Sequence, residues 1–427
     1  MTNLLQCMAI STEAFIVGLD VGSSAIRLAV GQRVGVDNES ELQIVGACEV
    51  PAAGISKGVI TSIEDATAAV SACMEKAERV LGVQLQHAWV GIGGAHILTE
   101  GSRGVIAVGK PDGEITEEDV ERAIEAARTV ATPLNYEILH VIPKSFTVDG
   151  QSGIKDPVGM TGIRLEVDAQ IIQGLSSQIK NLTKCIYRTG FDIEDLVLSI
   201  LATSEAVVTS RQKELGVAVL NIGGGAATYA VFEEGDLLTV GMIPIGGDHI
   251  TADIAIGLRT SIDIAERVKV EHGTVFPKEI GKKDEISLED LGGENEMVSK
   301  KYVAEIIQAR TEEIFEKFDK ELKKIGRSGM LPSGVIFTGS GAKLTGMVEL
   351  AKEKLRLPAA LGYPGGVSST LDKINDLGFA TAVGLVLWGD EMERVRGRST
   401  KLSRLFTGKG LGKLTGGIKK LIKSLIP

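Results

Sequence analysis

The sequence predicts an α/β protein made of two facing domains, and three observations support this fold class. Hydrophobic residues make up 44% of the 427 residues and glycines number 52, which suits buried strands and helices joined by many short turns. A strand–turn–strand pattern occupies residues 15–30, read as FIVGLDVGSSAIRLAV. A second occupies residues 216–232, where the turn is a run of three glycines. A chain of this length can bury a substantial core in two or more domains.

The two turns share one layout and predict a binding site for a polyphosphate. Glycine permits positive φ values and lets backbone N–H groups converge on an anion. We expect Asp20 to face the phosphates or the waters of a bound Mg²⁺, and the two serine hydroxyls to hold phosphate oxygens. The alternative is a pair of ordinary β-hairpins. The matching positions are Asp20 and Asn221, Gly22 and Gly223, Ser23 and Gly224, and Ser24 and Gly225.

Hydrophobic periodicity predicts the remaining elements in order. Thr116 begins a helix as TEED, in which Asp119 can reach back to the cap. The charged, Gly-rich residues 277–299 are expected to form a surface loop. Further strands are expected at 42–50, 87–93, 104–108, 136–148, 163–172 and 334–338. Further helices are expected at 62–82, 176–189, 203–213, 249 onwards, 260–273, 300–326 and 378–389. One more is expected after the loop GSGAKLTG, ending at about residue 355.

Two more segments fit a nucleotide. In GSGAKLTG, Gly339 and Gly341 would let a nucleoside lie against the backbone beside Ser340 and Lys343, and the helix start suits an anion. The alternative is a tight turn that a helix entry needs. Glu266 and Lys269 are three residues apart on one helix face, where they could hold ribose hydroxyls or form a surface pair.

Charge is distributed unevenly along the chain. The net charge is −10, yet residues 394–427 contain ten Lys or Arg and no Asp or Glu. Such a tail calls for an anionic partner, either a membrane lipid or a nucleic acid. Four cysteines without a CxxC pair indicate reduced thiols, and the N-terminus has no secretory signal pattern.

The end of this tail favours the membrane. At helical spacing, residues 411–427 place their apolar side chains on one arc and lysines on the other side, as in helices that lie on anionic bilayers. Nucleic acid is disfavoured because Phe406 is the tail's one aromatic residue. A helix docked onto the globular body is the other alternative. The expected membrane residues are Lys413, Ile418, Lys419, Lys420, Leu421, Ile422, Lys423, Leu425 and Ile426.

Taken in order, the aspartate turn, an inserted block, the glycine turn, the Glu-x-x-Lys helix, the Gly-rich loop and a closing Ala/Gly helix resemble the actin/Hsp70/sugar-kinase superfamily. Within it, the chain from about residue 15 onwards resembles the FtsA family of bacterial cell-division proteins. The segments that carry this resemblance are GGAHILTEGSRGVIAV, ITEEDVERAIEAA, DGQSGIKDPVGMTGIRLE, IPIGGDHITADIAIGLRTSIDIAERVKVEHG, GFATAVGLVLWG and the basic C-terminal helix.

The resemblance implies an actin-like fold, with two RNase H-like domains around a nucleotide cleft and an inserted α+β subdomain of the FtsA type. It implies ATP and Mg²⁺ as cofactors, with Asp20 and Asn221 on the metal side, and adds Gly246 and Gly247 to the site. The implied divisions are a leader at 1–13, a first domain at 14–85, 167–205 and 377–390, the insert at 86–166, a second domain at 206–245 and 328–376 with its subdomain at 246–327, a basic flexible linker at 391–410, and a membrane-targeting helix at 411–427.

The glycine turn departs from the family pattern. That pattern has Asp before the glycines and Thr or Ser after them, whereas this chain has Asn221, Ala226 and Ala227. Ala25 stands where the family commonly has lysine, although Arg27 could partly replace that charge. Losing a carboxylate near a dication weakens its binding. We therefore expect ATP binding with slow or absent hydrolysis; a secure general base is not evident, Glu205 being equally an ordinary helix residue.

Partners are also implied by the resemblance. The family binds the C-terminal peptide of the tubulin-like FtsZ, assembles into filaments and contacts later division proteins at the cytoplasmic face of the membrane at the septum. Arg310 matches the family's peptide-binding position, and Lys300 or Lys301 would assist it with an acidic peptide. The alternatives are another actin-fold adaptor, such as the pilus-assembly relative, which would lack the tail, or a catalytic Hsp70-type or sugar-kinase ATPase.

Overall fold

A computed structural model describes residues 15–35, 41–129 and 133–406. The predicted leader at 1–13 and membrane helix at 411–427 lie outside these ranges. The strands within them are β1 (Phe15–Val21), β2 (Ala25–Val34), β3 (Glu41–Pro51), β4 (Ile55–Ser56), β5 (Val59–Ile60), β6 (His87–Ile92), β7 (Ile97–Ala107), β8 (Tyr136–Val148), β9 (Gln151–Ile154), β10 (Arg164–Leu175), β11 (Asp192–Leu198), β12 (Val217–Ile222), β13 (Ala227–Glu233), β14 (Asp236–Ile243), β15 (Glu285–Ser287), β16 (Met297–Ser299), β17 (Val335–Thr338), β18 (Ala359–Leu361) and β19 (Ser368–Ser369).

Ten α-helices lie in the same ranges. They are α1 (Ile63–Leu81), α2 (Glu117–Arg128), α3 (Ser176–Tyr187), α4 (Ser199–Val207), α5 (Ser210–Leu215), α6 (Gly247–Leu258), α7 (Ile262–His272), α8 (Lys300–Lys324), α9 (Met347–Leu355) and α10 (Ala380–Phe406). None of these described helices has the length and apolar character needed to cross a membrane.

The two large sheets share one five-stranded topology, to which β19 adds a sixth strand in the first sheet. In the first, the order is β11-β6-β1-β2-β3-β19, and in the second it is β14-β13-β12-β17-β18. In each sheet, three strands that are consecutive in the sequence pair antiparallel: β1 to β3 in the first and β12 to β14 in the second. The first of the three, β1 or β12, also pairs in parallel with a later strand, β6 or β17. That later strand pairs in parallel with one more, β11 or β18. This repeat confirms the predicted α/β fold of two related domains.

Helices α4 and α10 lie between the sheets and join the domains. Apolar side chains from both sheets and both helices form one buried cluster, which includes Leu201, Phe232 and Trp388. A Cβ atom on Gly384 would lie 1.8 Å from the Ala202 carbonyl oxygen, so glycine is required for this close approach of the helices. The domains are therefore packed as one body around a common helical layer.

The inserted subdomain is a four-stranded antiparallel sheet, β7-β10-β8-β9, covered by α2. Thr116 and Asp119 form the predicted capping box at the start of α2. The boundaries at 86 and 166 are wrong. Strand β6 lies between β1 and β11 in the first-domain sheet, because its side chains are apolar and buried, and β10 pairs with β7 and β8 along its whole length to residue 175.

Three other expectations need correction. Residues 277–299 form a hairpin rather than a simple surface loop, with Ile286 and Val298 buried against α8 and its neighbours. Ser368 and Ser369 pair in parallel with β3, so part of the segment 328–376 belongs to the first-domain sheet. Residues 391–406 continue α10 instead of forming a flexible linker, since a helix already nucleated extends readily through Glu, Arg, Lys and Leu.

Candidate functional site

A cavity of about 490 Å³ lies between the two domains, and both predicted turns line it. This volume is within the range of small-molecule and cofactor pockets. Residues from many separate parts of the chain, between Asp20 and Thr381, close around it. Of the predicted cofactor residues, those on its walls are Asp20, Gly22, Ser23, Ser24, Asn221, Gly223, Gly224, Gly225, Gly247, Glu266, Lys269, Gly339, Ser340, Gly341 and Lys343.

The first turn presents a carboxylate and two hydroxyls to the cavity. Asp20 is partly buried near the end of β1, opposite Arg27 on β2. The pKa of the Asp20 carboxyl is raised to about 6, because the effect of burial exceeds the opposing effect of the Arg27 charge. Ser24 Oγ lies 3.3 Å from Asp248 Oδ1 across the cleft, and Ser23 Oγ accepts a hydrogen bond from the Gly58 N–H at 3.1 Å. The turn is thus held from both sides of the cavity.

The second turn is bare because its neighbours leave no room for side chains. A Cβ atom on Gly224 would lie 1.6 Å from Ser24 Oγ, and one on Gly225 would lie 3.1 Å from the Lys57 nitrogen. The glycines of the two turns do not have positive φ values, so close approach, rather than the predicted backbone conformation, is what requires glycine here. The turn is closed by a hydrogen bond from the Gly223 N–H to the Ala226 carbonyl at 2.9 Å.

The loop after β17 forms the third wall. Gly339 has φ +85°, and a Cβ atom there would lie 2.2 Å from Asn221 Oδ1, so both conformation and space require glycine. The loop continues as a short 3-10 helix at Ser340–Lys343, and α9 begins only at Met347. Ser340 Oγ accepts a hydrogen bond from Arg27 at 2.9 Å, which ties this wall to the first domain.

On the cavity wall, the largely buried Lys269 pairs with the half-exposed carboxylate of Glu266. Lys269 Nζ lies 2.5 Å from Glu266 Oε2 and 2.7 Å from Thr251 Oγ1. It also donates to the carbonyl of Gly247 at 3.3 Å. The pair therefore belongs to a network that fixes the start of α6 against α7, and its acceptor and donor atoms border the space where a ligand would lie.

Two predicted residues lie elsewhere. Gly246 is behind the second turn, where a Cβ atom would be 2.3 Å from the Gly224 carbonyl oxygen, so it supports the turn instead of facing the cavity. Glu205 forms an ion pair with Lys213 at 2.7 Å and does not line the cavity. Arg27 lines the cavity, but its guanidinium already pairs with Glu49 at 2.7 Å.

Sequence reasoning missed several cavity residues. Asp248 directly follows the predicted Gly246–Gly247 pair, and that adjacency was an available signal. Lys57 and Gly58 come from the small β4–β5 hairpin, too short to be recognised by periodicity. Thr381, at the start of α10, lies 3.4 Å from the Asn221 side-chain nitrogen. Apart from that signal for Asp248, these residues are brought to the cavity by tertiary structure.

The three basic residues expected to bind a peptide, Arg310, Lys300 and Lys301, do not lie close together on α8. Arg310 on α8 donates to both carboxylate oxygens of Asp253 on α6, at 2.6 and 2.9 Å, and also pairs with Glu313. Lys300 and Lys301 lie at the start of α8, about 15 Å further along the helix at 1.5 Å per residue. One carboxylate cannot contact Arg310 and these lysines together, but a peptide with several acidic groups can span this distance. The peptide site therefore stays a prediction.

The cavity fits a nucleoside triphosphate in its size, in the glycines that expose backbone on its walls, and in its serine hydroxyl groups. For Mg²⁺, the cavity walls near the two turns offer the carboxylates of Asp20 and Asp248 and the amide of Asn221. Such a small donor set suits an ion that keeps waters and is held mainly by phosphates. Within residues 15–35, 41–129 and 133–406, no group of three or more His, Cys, Asp or Glu is arranged to hold a metal ion.

The duplicated sheets around one cleft define an actin-like protein. Among solved structures, the PilM–PilN type IV pilus biogenesis complex matches with a TM-score of 0.63 and 16% identity, covering 88% of this chain and 98% of that chain. MreB5 of Spiroplasma citri bound to ADP matches with a TM-score of 0.50 and 11% identity, covering 93% of this chain and 100% of that chain. At these identities the likeness concerns the fold.

Sequence comparison identifies the particular family. The model "SHS2 domain inserted in FTSA" matches residues 94–173, and "Cell division protein FtsA" matches residues 218–384. Cell division protein FtsA of Pseudomonas aeruginosa is 34% identical over 89% of this chain and 90% of its own length, and that of Bacillus subtilis is 37% identical over 90% and 85%. The chain belongs to the FtsA family. The match to the inserted domain at residues 94–173 agrees with the extent of the inserted sheet, which runs from the start of β7 to the end of β10.

Proposed function

We propose that this chain is an actin-like cell-division protein that binds ATP with Mg²⁺, assembles into filaments, and tethers FtsZ to the cytoplasmic face of the membrane at the division septum. The observation that carries the nucleotide part is the pair of turns that meet at one cavity, where a Cβ atom on Gly224 would lie 1.6 Å from Ser24 Oγ. Solved MreB5 structures bound to ADP and to AMPPNP support a nucleotide in this fold.

Hydrolysis is slow or absent in this proposal. Asn221 supplies an amide where a carboxylate would bind a dication more strongly, and Ala226 and Ala227 supply no hydroxyl. The Glu205 carboxylate is engaged with Lys213. Binding through backbone N–H groups needs none of these side chains. ATP then acts mainly by holding the two domains together in a form that assembles.

The tail at 411–427 anchors the filament. Its lysines are attracted to anionic lipids, each contributing about 1 kcal/mol near the surface, while its Leu and Ile side chains enter the acyl boundary. The FtsZ peptide binds the subdomain that contains α8, and later division proteins join the same assembly. Lys300 and Lys301 at the start of α8 offer charge to the peptide's acidic end, separately from Arg310.

The test is electron microscopy of the full-length chain on a monolayer of anionic lipid, with ATP and Mg²⁺, with and without FtsZ. We expect membrane-bound filaments with ATP, and recruitment of FtsZ to them. A chain truncated after residue 410 is the matched control, and should leave the lipid surface bare while still binding ATP in solution. Filaments that form on lipid equally well without residues 411–427 would contradict the proposed anchor.

A further inference from the structure

Four basic side chains line the cavity: Arg27, Lys57, Lys269 and Lys343. Three of them already have carboxylate partners. Arg27 pairs with Glu49 at 2.7 Å, Lys269 with Glu266 at 2.5 Å, and Lys343 with Asp376 at 2.5 Å. Within the part of the chain that the structure describes, Lys57 has no ion-pair partner. It therefore carries the one uncompensated positive charge on these described walls.

Lys57 lies at the tip of the β4–β5 hairpin, and this tip contacts both turns. The N–H of the next residue, Gly58, donates to Ser23 Oγ at 3.1 Å. On the other side, a Cβ atom on Gly225 would lie 3.1 Å from the Lys57 backbone nitrogen. The tip thus closes the end of the cavity where the first and second turns meet.

The backbone of this tip is held in an uncommon conformation. Lys57 has φ +50°, in the left-handed region that side chains other than Asn and Asp rarely adopt, and Gly58 has φ +75°. The base of the hairpin is fixed by hydrogen bonds from the N–H groups of Thr61 and Ser62 to the Gly54 carbonyl, at 2.8 and 3.1 Å. Strained residues that the surrounding structure holds in place concentrate at ligand sites.

A nucleoside triphosphate brings about four negative charges into a cavity whose other cations are already paired. Ala25, at the end of the first turn, adds no charge. We infer that Lys57 binds the terminal phosphate of ATP and makes the site selective for the triphosphate. This inference rests on the proposed nucleotide site. The lysine is a flexible point charge with three donors, which suits a phosphate that enters and leaves.

The test is calorimetric titration of the full-length chain with ATP, ADP and AMP in the presence of Mg²⁺. Lys57→Asn removes the charge and keeps a residue that tolerates the left-handed conformation. For Lys57→Asn we expect about tenfold weaker binding of ATP, because hydrogen bonds to charged groups are strong. The loss of affinity should be smaller for ADP and absent for AMP. Lys57→Arg should restore the preference for ATP. Lys184→Gln, at an exposed position of α3 in the same domain, is the charge-matched control and should bind all three nucleotides like the unmodified chain.

The outcomes separate this inference from the proposed function. If the unmodified chain binds ATP and Lys57→Asn binds it equally well, the role of Lys57 is overturned while the nucleotide site stands. Equal losses for ATP, ADP and AMP would also overturn it, since they would indicate general damage to the cavity. Failure of the unmodified chain to bind any of the three nucleotides would overturn the proposed function itself.

Discussion

Asn221 is the residue at which this site differs most clearly from the family pattern. Its amide nitrogen lies 3.4 Å from Thr381 Oγ1, and that hydroxyl is paired in turn with Thr203 at 2.9 Å. An aspartate at position 221 could accept a hydrogen bond from the same hydroxyl, so the packing can accommodate the substitution. It would also add a carboxylate to a cavity that already contains Asp20 and Asp248.

We predict that Asn221→Asp increases Mg²⁺-dependent phosphate release by about tenfold, because an anionic ligand binds the dication and positions the phosphates better than an amide. The measurement is phosphate release by the purified full-length chain with ATP, with and without Mg²⁺. Asn221→Ala is the matched control and should not gain activity. Equal release by all three proteins would mean that position 221 does not limit hydrolysis.

Single residues of the cavity were predictable where glycine, serine or an acid marked a turn. Asp20, Asn221 and Gly339 are examples, since each sits beside a sequence of small residues that ends a strand. Asp248 and Lys57 were not recognised, because an isolated charged residue is usually a solvated surface group. Their role depends on a contact across more than a hundred residues of chain, as between Ser24 and Asp248.

At the scale of elements, Arg310 clamps α8 to α6. Its guanidinium makes a two-pronged contact with Asp253 of α6 and pairs with Glu313 of its own helix. The hydrogen bond to Asp253 raises the pKa of Arg310, so the group stays charged. The side chains are about one quarter exposed, at 27% and 28% for Arg310 and Asp253, which leaves them partly screened by water.

We predict that Arg310→Gln lowers the free energy of unfolding by about 1 kcal/mol, as expected for a well-formed but partly exposed ion pair. Arg310→Glu should lower it further, because it sets a third carboxylate beside Asp253 and Glu313. Urea unfolding of the full-length chain measures both. The control is Lys320→Gln at an exposed position of α8, which should change little. An Arg310→Glu chain as stable as the original would rule out the clamp.

Several elements could be read from local signals. Helix α1 begins after Ser62, whose side chain accepts from the Asp65 N–H, and ends at Gly82 in the left-handed conformation. The predicted helix at 203–213 is instead split into α4 and α5, since Thr209 starts a new capping box with Gln212. Strand β11 was missed because its exposed acidic residues hide the pairing with β6.

For the whole molecule, the cavity exists only because both domains contribute to it. Ser24 faces Asp248, and Arg27 reaches Ser340, each pair joining the first domain to the second. The order of motifs along the sequence was sufficient to predict two related domains around a cleft. It could not predict the boundaries of the insert, because strand pairing at long range decides whether β6 and β10 belong to one sheet or another.

We predict that ATP with Mg²⁺ slows amide hydrogen exchange in both domains together, since one ligand would contact both turns. At about a hundred times the dissociation constant, the bound state is favoured by about 2.7 kcal/mol, equivalent to about hundredfold slower opening. Exchange followed by mass spectrometry should show protection at 20–25, 221–228 and 339–345, and none at α2 of the insert. Protection confined to one domain would contradict a shared site.

Helix α10 starts inside the cavity and ends far from it. Thr381 near its start contacts Asn221, and the helix then runs unbroken to Phe406. Its 27 residues span about 40 Å at 1.5 Å per residue. Over a rod of this length, a tilt of about 10° at one end corresponds to a displacement of about 7 Å at the other. The helix thus joins the wall of the cleft directly to the basic segment that begins at Arg394.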